Sequence, residues 1–188
     1  MLLYRCPNLQ ELALLFFKSS FQVTPIFSRA YWPFLRRFTL VGDLQFDNVD
    51  ALDGDSALDV SEFWTKHRRL ECLFFLPWNP EGPRFMVYPG CLPRIRSLSI
   101  YHRFHQPLSL PWDVVQRIQY FCLFIYDDSK RDMIIDALQA MTSLRDLIIS
   151  RWPRDHLGSL ARVIPQIRRL KFIRPIVSSW GNFEDVST

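Results

Sequence analysis

The sequence predicts an α/β solenoid in which short parallel strands lie side by side and return segments run behind them. One apolar pattern recurs along the chain, and amphipathic or proline-rich stretches lie between its copies. The composition, 48% hydrophobic and 15% aromatic, excludes an intrinsically disordered chain. Together these observations favour a repeat architecture, in which each unit buries its apolar edge against the next.

Seven copies of an apolar-x-x-apolar-x-apolar pattern organise the chain. The intervals between their first positions are 26, 35, 25, 23, 26 and 23 residues. All but the second interval fall in the range of ~20–29 residues that is typical of leucine-rich repeats. The copies are Leu9-Leu12-Leu14, Leu35-Phe38-Leu40, Leu70-Leu73-Phe75, Ile95-Leu98-Ile100, Ile118-Phe121-Leu123, Leu144-Leu147-Ile149 and Ile167-Leu170-Phe172.

The spacing within each copy has a simple physical reason. The last two apolar positions are two residues apart, so in an extended strand both side chains point to the core. The first position enters the core from the turn before the strand. A unit this short cannot bury its apolar edge alone, so the units stack and their strands pair in parallel, each followed by a return segment.

The return segments differ in kind. Apolar residues at helical spacing predict helices over residues 56–67, 128–141 and 154–164, and a shorter helix over 111–117. Five prolines predict a loop over residues 76–93. The longest unit holds an acidic insertion at about 43–56. The sequence therefore predicts one repeat domain over residues 1–176, a horseshoe of about seven irregular units with a parallel concave sheet, and a tail over 177–188.

The cysteines and the apolar stretches bound the environment of the chain. Its four cysteines are widely spaced, without a C-x-x-C pair, which predicts free thiols and neither a zinc knuckle nor a disulfide framework. The apolar stretch from Leu12 to Phe17 is far shorter than the ~20 residues of a membrane helix. We expect a cytoplasmic or nuclear protein that does not enter a membrane.

The first two units carry a resemblance to a known family. Residues 6–14 read C-P-N-L-Q-E-L-A-L and residues 32–40 read W-P-F-L-R-R-F-T-L; a third stretch, residues 63–73, reads F-W-T-K-H-R-R-L-E-C-L. The chain resembles leucine-rich repeats of the ribonuclease-inhibitor-like superfamily and, more narrowly, the repeat region of fungal F-box proteins, over residues 1–176. The resemblance implies a substrate-binding role. In that family an F-box docks on the adaptor subunit of a ubiquitin ligase while the repeats hold the substrate.

The chain departs from the family pattern at two places. Only eight residues precede Leu9, too few for the helical F-box, so contact with a ligase adaptor is expected only if an F-box is supplied upstream. In regular repeats, the residue three positions after the last apolar residue is often Asn or Cys. Here it is neither in any unit, and its type changes from unit to unit, from Phe17 in the first to Pro175 in the last. We therefore expect an irregular arc.

The concave strand face is the expected site for a protein partner, because solenoids bind on that surface. Residues that flank the buried strand positions there are unusually apolar in the middle of the chain, and aromatic anchors dominate many interfaces. An alternative stays open, in which the 76–93 loop covers these residues and makes them core. The predicted partner-binding residues are Phe74, Leu76, Tyr101, Tyr120, Phe124, Ile148, Arg169 and Lys171.

No constellation in the sequence predicts an enzyme, a cofactor or a metal site. His102 and His105 have no Cys, Asp or Glu within a few residues and are expected in a surface turn. The acidic residues 47–55 fail the spacing of a calcium-binding EF-hand. His67 is expected to be a cation that suits the end of a helix.

Charge does not favour nucleic acid as a partner. Seven bases lie between Arg151 and Arg174, but Arg168 and Arg169 alternate with the apolar Ile167 and Leu170, as in the solvent-facing side of a terminal strand. The sequence therefore predicts a non-enzymatic protein-interaction domain. The alternative is a structural repeat fragment of a longer protein that self-associates through an uncapped first repeat.

Overall fold

The structure, a computed structural model, shows an α/β protein whose strands form one all-parallel sheet. It describes residues 6–22, 24–45, 61–77, 87–102, 110–125, 131–150, 152, 158, 160, 165 and 167–173. The strands are β1 (Glu11–Gln22), β2 (Arg37–Gln45), β3 (Cys72–Pro77), β4 (Ser97–His102), β5 (Tyr120–Ile125), β6 (Asp146–Ser150) and β7 (Arg169–Ile173). They lie in chain order, β1 to β7, as the sequence predicts.

Four helices lie between the strands in the described part of the chain: α1 (Thr24–Arg29), α2 (Ser61–Lys66), α3 (Trp112–Val115) and α4 (Arg131–Ala140). The last three fall within predicted helices, whereas α1 was not predicted. Of the helix predicted over 154–164, only Gly158 and Leu160 are described, and both are helical. The acidic residues 46–60, the loop residues 78–86 and the tail 177–188 lie outside the described residues.

The strand register aligns the predicted apolar positions in two layers. The first layer runs Leu12–Phe38–Leu73–Leu98–Phe121–Leu147–Leu170 across the sheet. The second runs Leu14–Leu40–Phe75–Ile100–Leu123–Ile149–Phe172. Side chains two residues apart in a strand share a face. Apart from Leu14 and the residues of β7, both layers are buried, so the alternation of each strand explains where the core sits.

The same turn and the same junction recur at the strand starts. The N–H of the leading apolar residue donates to the carbonyl three residues earlier at Leu9, Leu35, Leu70, Ile95, Ile118 and Leu144. One residue further on, a single carbonyl accepts from two successive N–H groups of the next strand. For example, the Gln10 carbonyl accepts from Arg36 at 2.7 Å and from Arg37 at 3.0 Å. Each strand start is thereby fixed to the previous one.

An aromatic cluster behind β2 and β3 joins α1 and α2 to the sheet. The ring centroids of Phe27 and Phe63 are 5.0 Å apart, and those of Phe63 and Trp64 are also 5.0 Å apart, both edge-on. Phe38 contributes from the sheet, 5.3 Å from Phe63. Edge-on and tilted ring pairs at this separation stabilise a core beyond the area they bury.

His67 is part of this cluster and is a neutral, buried residue. Its Nδ1 atom donates to the Phe63 carbonyl at 2.7 Å, and its Nε2 atom accepts from the backbone N–H of Trp32 at 3.0 Å. Burial lowers the pKa of His67, with a smaller opposing effect from the Phe63 carbonyl. The expectation of a cation at this helix end was wrong, because the side chain turns inward, where the charged form loses its hydration.

Strand β1 continues well beyond Leu14, the last apolar position of its pattern. It runs to Gln22 and shifts register against β2 between Phe16 and Phe21. Opposite this irregularity is Gly42, with a φ of 137° and its Cα so close to β1 that an added Cβ would overlap the carbonyl oxygen of Phe16. Only glycine adopts this conformation without strain and permits this approach.

The two ends of the sheet differ in how well their apolar side chains are buried. On β1, Leu12 is buried and Leu14 is half-buried. On β7, Leu170 and Phe172 are 43% and 42% exposed. Both β1 and β7 are edge strands, with a neighbouring strand on one side only. At the core-facing positions β1 is better covered than β7, whereas Leu15 on the other face of β1 is 51% exposed.

Candidate partner-binding surface

The sheet face opposite the core, here called the open face, carries the strand residues that alternate with the buried ones. Two rows of side chains cross it from β1 to β7, because the parallel register holds equivalent positions side by side. The first row runs Glu11–Arg37–Cys72–Ser97–Tyr120–Asp146–Arg169. The second runs Ala13–Thr39–Phe74–Ser99–Cys122–Ile148–Lys171.

Both ends of the first row carry cross-strand ion pairs. Arg37 contacts the exposed Glu11 at 3.3 Å. At the other end, Arg169 donates from Nε and Nη2 to the two oxygens of Asp146 at 2.6 and 2.7 Å. Hydrogen bonds from Arg169 lower the pKa of Asp146. These charges border the more apolar middle of the open face.

An aromatic pair spans the middle of the open face. The rings of Phe74 on β3 and Phe124 on β5 have centroids 6.3 Å apart at an angle of 72°. Strand β4 lies between them, so two strand spacings of about 4.8 Å separate their backbones. The rings therefore lean toward each other, and we call them the aromatic bridge. Ser99 of β4, the register partner of Phe74, is 3% exposed, and its small side chain leaves room for the bridge.

Cys122 and Tyr120 lie on β5 next to the aromatic bridge, and their surroundings make both less acidic. Burial raises the pKa of the Cys122 thiol to about 11, against a smaller lowering by a hydrogen bond with Ser99. Burial also raises the pKa of Tyr120, and the nearby Cys122 and Asp146 raise it further. Since a thiol reacts as the thiolate, we expect Cys122 to react slowly at neutral pH.

The predicted partner-binding residues fall into three groups. Phe74, Tyr120, Phe124 and Ile148 are half-buried on the open face, between a covered core and a fully exposed patch. Leu76 is buried, with 9% of its surface exposed, and adds little accessible area. Tyr101 is the register partner of Phe124 on β4, but its side chain lies outside the described residues. Arg169 and Lys171 are exposed on β7.

The described residues contain neither a cluster of metal-ligand side chains nor a membrane-spanning helix. Within them, no three His, Cys, Asp or Glu side chains come together as metal ligands. The helices of the described part are all too short or too polar to span a bilayer. None of the four cysteines forms a disulfide; Cys6 is exposed and Cys91 is buried.

Sequence reasoning missed a basic cavity away from the open face. It has a volume of about 390 Å³ and lies where β4 and β5 begin, with Arg94, Arg96 and Arg117 in its wall. The three arginines are separated along the chain, so no charge run marks them. One sequence feature could have pointed to this basic region. The residue that follows the first apolar position of the pattern is arginine in four units, at residues 36, 96, 145 and 168.

Three comparisons with known proteins found no match. No protein-family model matches the chain, and neither a curated protein nor a solved structure is similar to it.

Proposed function

We propose that this protein is a non-enzymatic protein-interaction domain of the leucine-rich-repeat type that binds its partner on the open face. The aromatic bridge of Phe74 and Phe124 is the observation that carries the proposal. Two half-buried aromatic rings on an uninterrupted sheet face offer the flat apolar anchor that protein partners use. The charged pairs at the ends of the first row supply the polar rim that surrounds such an anchor.

The repeat type of this proposal is supported by the recurrence of local geometry. Seven parallel strands in chain order share one register, and the same turn precedes six of them. Leucine-rich-repeat proteins are built from such units, with a strand in each repeat lining one face. The proposal includes the fungal F-box likeness of residues 6–14 and 63–73, in which the repeats hold the substrate of a ubiquitin ligase. In that family the F-box makes the contact with the ligase adaptor, so the role proposed here for the repeats is substrate binding alone.

Substitution of the bridge by acidic residues tests the proposal. The variants Phe74→Asp and Phe124→Asp place a charge in the apolar centre, and Thr39→Asp places the same charge in the same row on β2. Each is used as bait for affinity capture with quantitative mass spectrometry. We expect the proteins held by the wild type to be lost from both Phe variants and retained by Thr39→Asp. Equal loss from Thr39→Asp, or full retention by both Phe variants, would contradict the proposal.

A fold measurement accompanies the capture. The circular dichroism spectrum of each variant should match that of the wild type. Its free energy of unfolding in urea should fall by no more than the loss of one aromatic contact explains. If either Phe variant unfolds, these residues are core, and the proposal of a binding surface fails.

Self-association is a second candidate, and the exposure of β7 favours it. Leu170 and Phe172 leave apolar surface accessible at the edge of a parallel sheet, where a second strand can pair. We propose this end for the contact instead of the first repeat. Light scattering after size-exclusion chromatography should show a dimer that Phe172→Lys converts to a monomer. A wild-type monomer at all concentrations tested would exclude this candidate.

A further inference from the structure

A row of side chains lies along the edge of the sheet where the strands begin. Its members are the residues that immediately precede each strand, and we call them the rim row: Gln10, Arg36, Glu71, Arg96, Gln119, Arg145 and Arg168. The carbonyl of each member except the last accepts from two N–H groups, that of the next member and that of the residue after it, at 2.7 to 3.1 Å. The backbone spacing along this row is therefore fixed at about one strand separation, roughly 4.8 Å.

The rim row is basic. Arg36, Arg96, Arg145 and Arg168 are all exposed, and Glu71 is its one acid. Within the described residues, none of these four arginine side chains forms an ion pair. Exposed guanidinium groups at fixed spacing attract carboxylates and hold them with paired hydrogen bonds.

A cavity opens at the middle of the rim row and adds two arginines to it. The cavity, of about 390 Å³, is lined by Glu71, Arg94, Arg96, Arg117 and Gln119 among others. We call it the arginine groove. Ile95, between two of the arginines, is completely buried, so the backbone that carries Arg94 and Arg96 is anchored in the core. A site whose side chains rise from an anchored backbone loses less entropy on binding.

Of the three arginines in the groove, Arg117 is paired with an aspartate, and the other two are available to a ligand. Asp113 contacts Arg117 at 3.4 Å and accepts from the backbone N–H of Gly90 at 3.2 Å. This contact orients Arg117 and uses part of its charge. Arg94 and Arg96 are exposed and have no such partner in the described part of the chain.

An exposed aromatic residue lies near the groove. Trp112 begins α3 and is 61% exposed. Gln116, four residues later, lines the groove and has helical dihedral angles. Residues four apart in a helix share a face, so Trp112 lies one turn before Gln116 on the same side of this short helix, next to the groove lining and not part of it. Trp and Arg are the residue types that contribute most to protein interfaces.

We propose that the arginine groove binds an acidic peptide segment of a protein partner, with carboxylates on Arg94 and Arg96 and an apolar side chain on Trp112. The charge pattern favours a peptide over a nucleic acid. A nucleic-acid strand carries one phosphate per nucleotide without interruption. Along the rim row, Glu71 lies between Arg36 and Arg96, and it would face a phosphate in such a complex. A peptide can place a neutral or donor group there.

This site is separate from the open face. The groove lies at the sheet edge and the aromatic bridge on the sheet surface, so each can be disabled without the other. Phe74→Asp therefore should leave peptide binding at the groove unchanged. Failure of the groove proposal and failure of the proposed function give different results.

Fluorescence anisotropy with a labelled peptide tests the groove. The probe is a short fluorescein-labelled peptide of glutamates around a single leucine. We expect the double variant Arg94→Glu and Arg96→Glu to weaken binding by at least about tenfold, since two charge-assisted contacts become repulsive. Arg94→Gln with Arg96→Gln should weaken it less, and Trp112→Ala by about threefold through loss of an apolar anchor. Circular dichroism shows that each variant is folded.

Matched controls decide the result. Arg29→Glu makes the same charge change at an exposed arginine at the end of α1 and should leave the affinity nearly unchanged. The same peptide with phosphoserine in place of two glutamates distinguishes a phosphate-bearing source from a carboxylate-bearing one. No effect of the double variant, an equal effect of Arg29→Glu, or tighter binding of a single-stranded RNA of equal charge would each overturn the proposal.

Discussion

His67 accepts a hydrogen bond from the backbone N–H of Trp32 across 35 residues of sequence, at 3.0 Å. The acceptor is Nε2, and Nδ1 donates to the Phe63 carbonyl at 2.7 Å. Both bonds exist together only in the neutral ring, because a proton on Nε2 would face the Trp32 N–H. The unit that ends at His67 is thereby tied to the turn before β2.

Acidification should destabilise the protein through His67. Burial lowers the pKa of this residue in the folded state, so the unfolded state binds more protons as pH falls through the ordinary histidine range. The stabilisation is complete above that range and is lost below it. We expect the urea midpoint to fall between pH 7.5 and pH 5.5, and to fall less in His67→Gln, whose amide replaces both hydrogen bonds. Equal pH dependence in both proteins would contradict this assignment.

Loss of the His67 ring should also be costly at neutral pH. His67→Ala leaves the buried Trp32 N–H without its acceptor, which costs about 1–3 kcal/mol in the free energy of unfolding. The companion variant Lys66→Ala, at the exposed neighbouring position, provides the control for helix α2. Denaturant unfolding at pH 7.5 measures both.

Gly42→Ala should destabilise the junction of β1 and β2. Its φ of 137° strains any side-chain-bearing residue, and a Cβ would overlap the Phe16 carbonyl. We expect a loss of about 2–4 kcal/mol, the sum of backbone strain and forced strand separation. Gly90→Ala is the matched control, because its φ is 80° and nothing lies within 4 Å of an added Cβ. The control should cost about 1 kcal/mol. Similar losses in the two variants would show that the close approach does not matter.

The aromatic bridge should be measurable as a coupling energy. Phe74→Ala and Phe124→Ala each remove one ring of the pair whose centroids are 6.3 Å apart. In a double-mutant cycle on unfolding free energies, we expect a coupling of about 0.5–1.5 kcal/mol, the range for edge-on aromatic pairs. Phe74→Ala with Ile135→Ala, a residue on α4, should give a coupling near zero.

The cysteines should label in order of their surroundings. With a pKa of about 11, roughly one Cys122 thiol in a thousand is ionised at pH 8. We expect iodoacetamide to modify the exposed Cys6 first and to modify Cys122 only after unfolding in guanidinium. Peptide mapping by mass spectrometry follows each site. Rapid labelling of Cys122 in the folded protein would contradict its burial.

The sequence predicted strands better than helices, for a physical reason. The two buried positions of each strand recur with fixed spacing, and the register reproduces them from Leu12 to Leu170. Helix α1 has only six residues, T-P-I-F-S-R, and so short a segment shows no apolar period. Ile26 and Phe27 are buried because the helix packs against α2 and β2, and the six residues of the helix alone do not reveal this packing.

The sequence did not predict how deeply particular side chains are buried. Leu170 has the same pattern position as Leu12 and both lie on edge strands, yet Leu12 is buried and Leu170 is 43% exposed. His67 follows a helix and precedes two arginines, which favours a cation, but its ring turns into the aromatic cluster. The arginine groove was missed because Arg94 and Arg117 come together only through the stacking of neighbouring units.

The paired hydrogen bonds at the strand starts have a consequence for how this architecture changes in length. Each junction joins a carbonyl to the next two N–H groups in the same way, whatever side chains stand there. Insertion or deletion of a whole unit would leave every remaining junction as it was. A gene that encodes such a chain can therefore gain or lose a segment of some two dozen codons, roughly one unit. The strands on either side of the change would keep their geometry, and only the length of the sheet would differ.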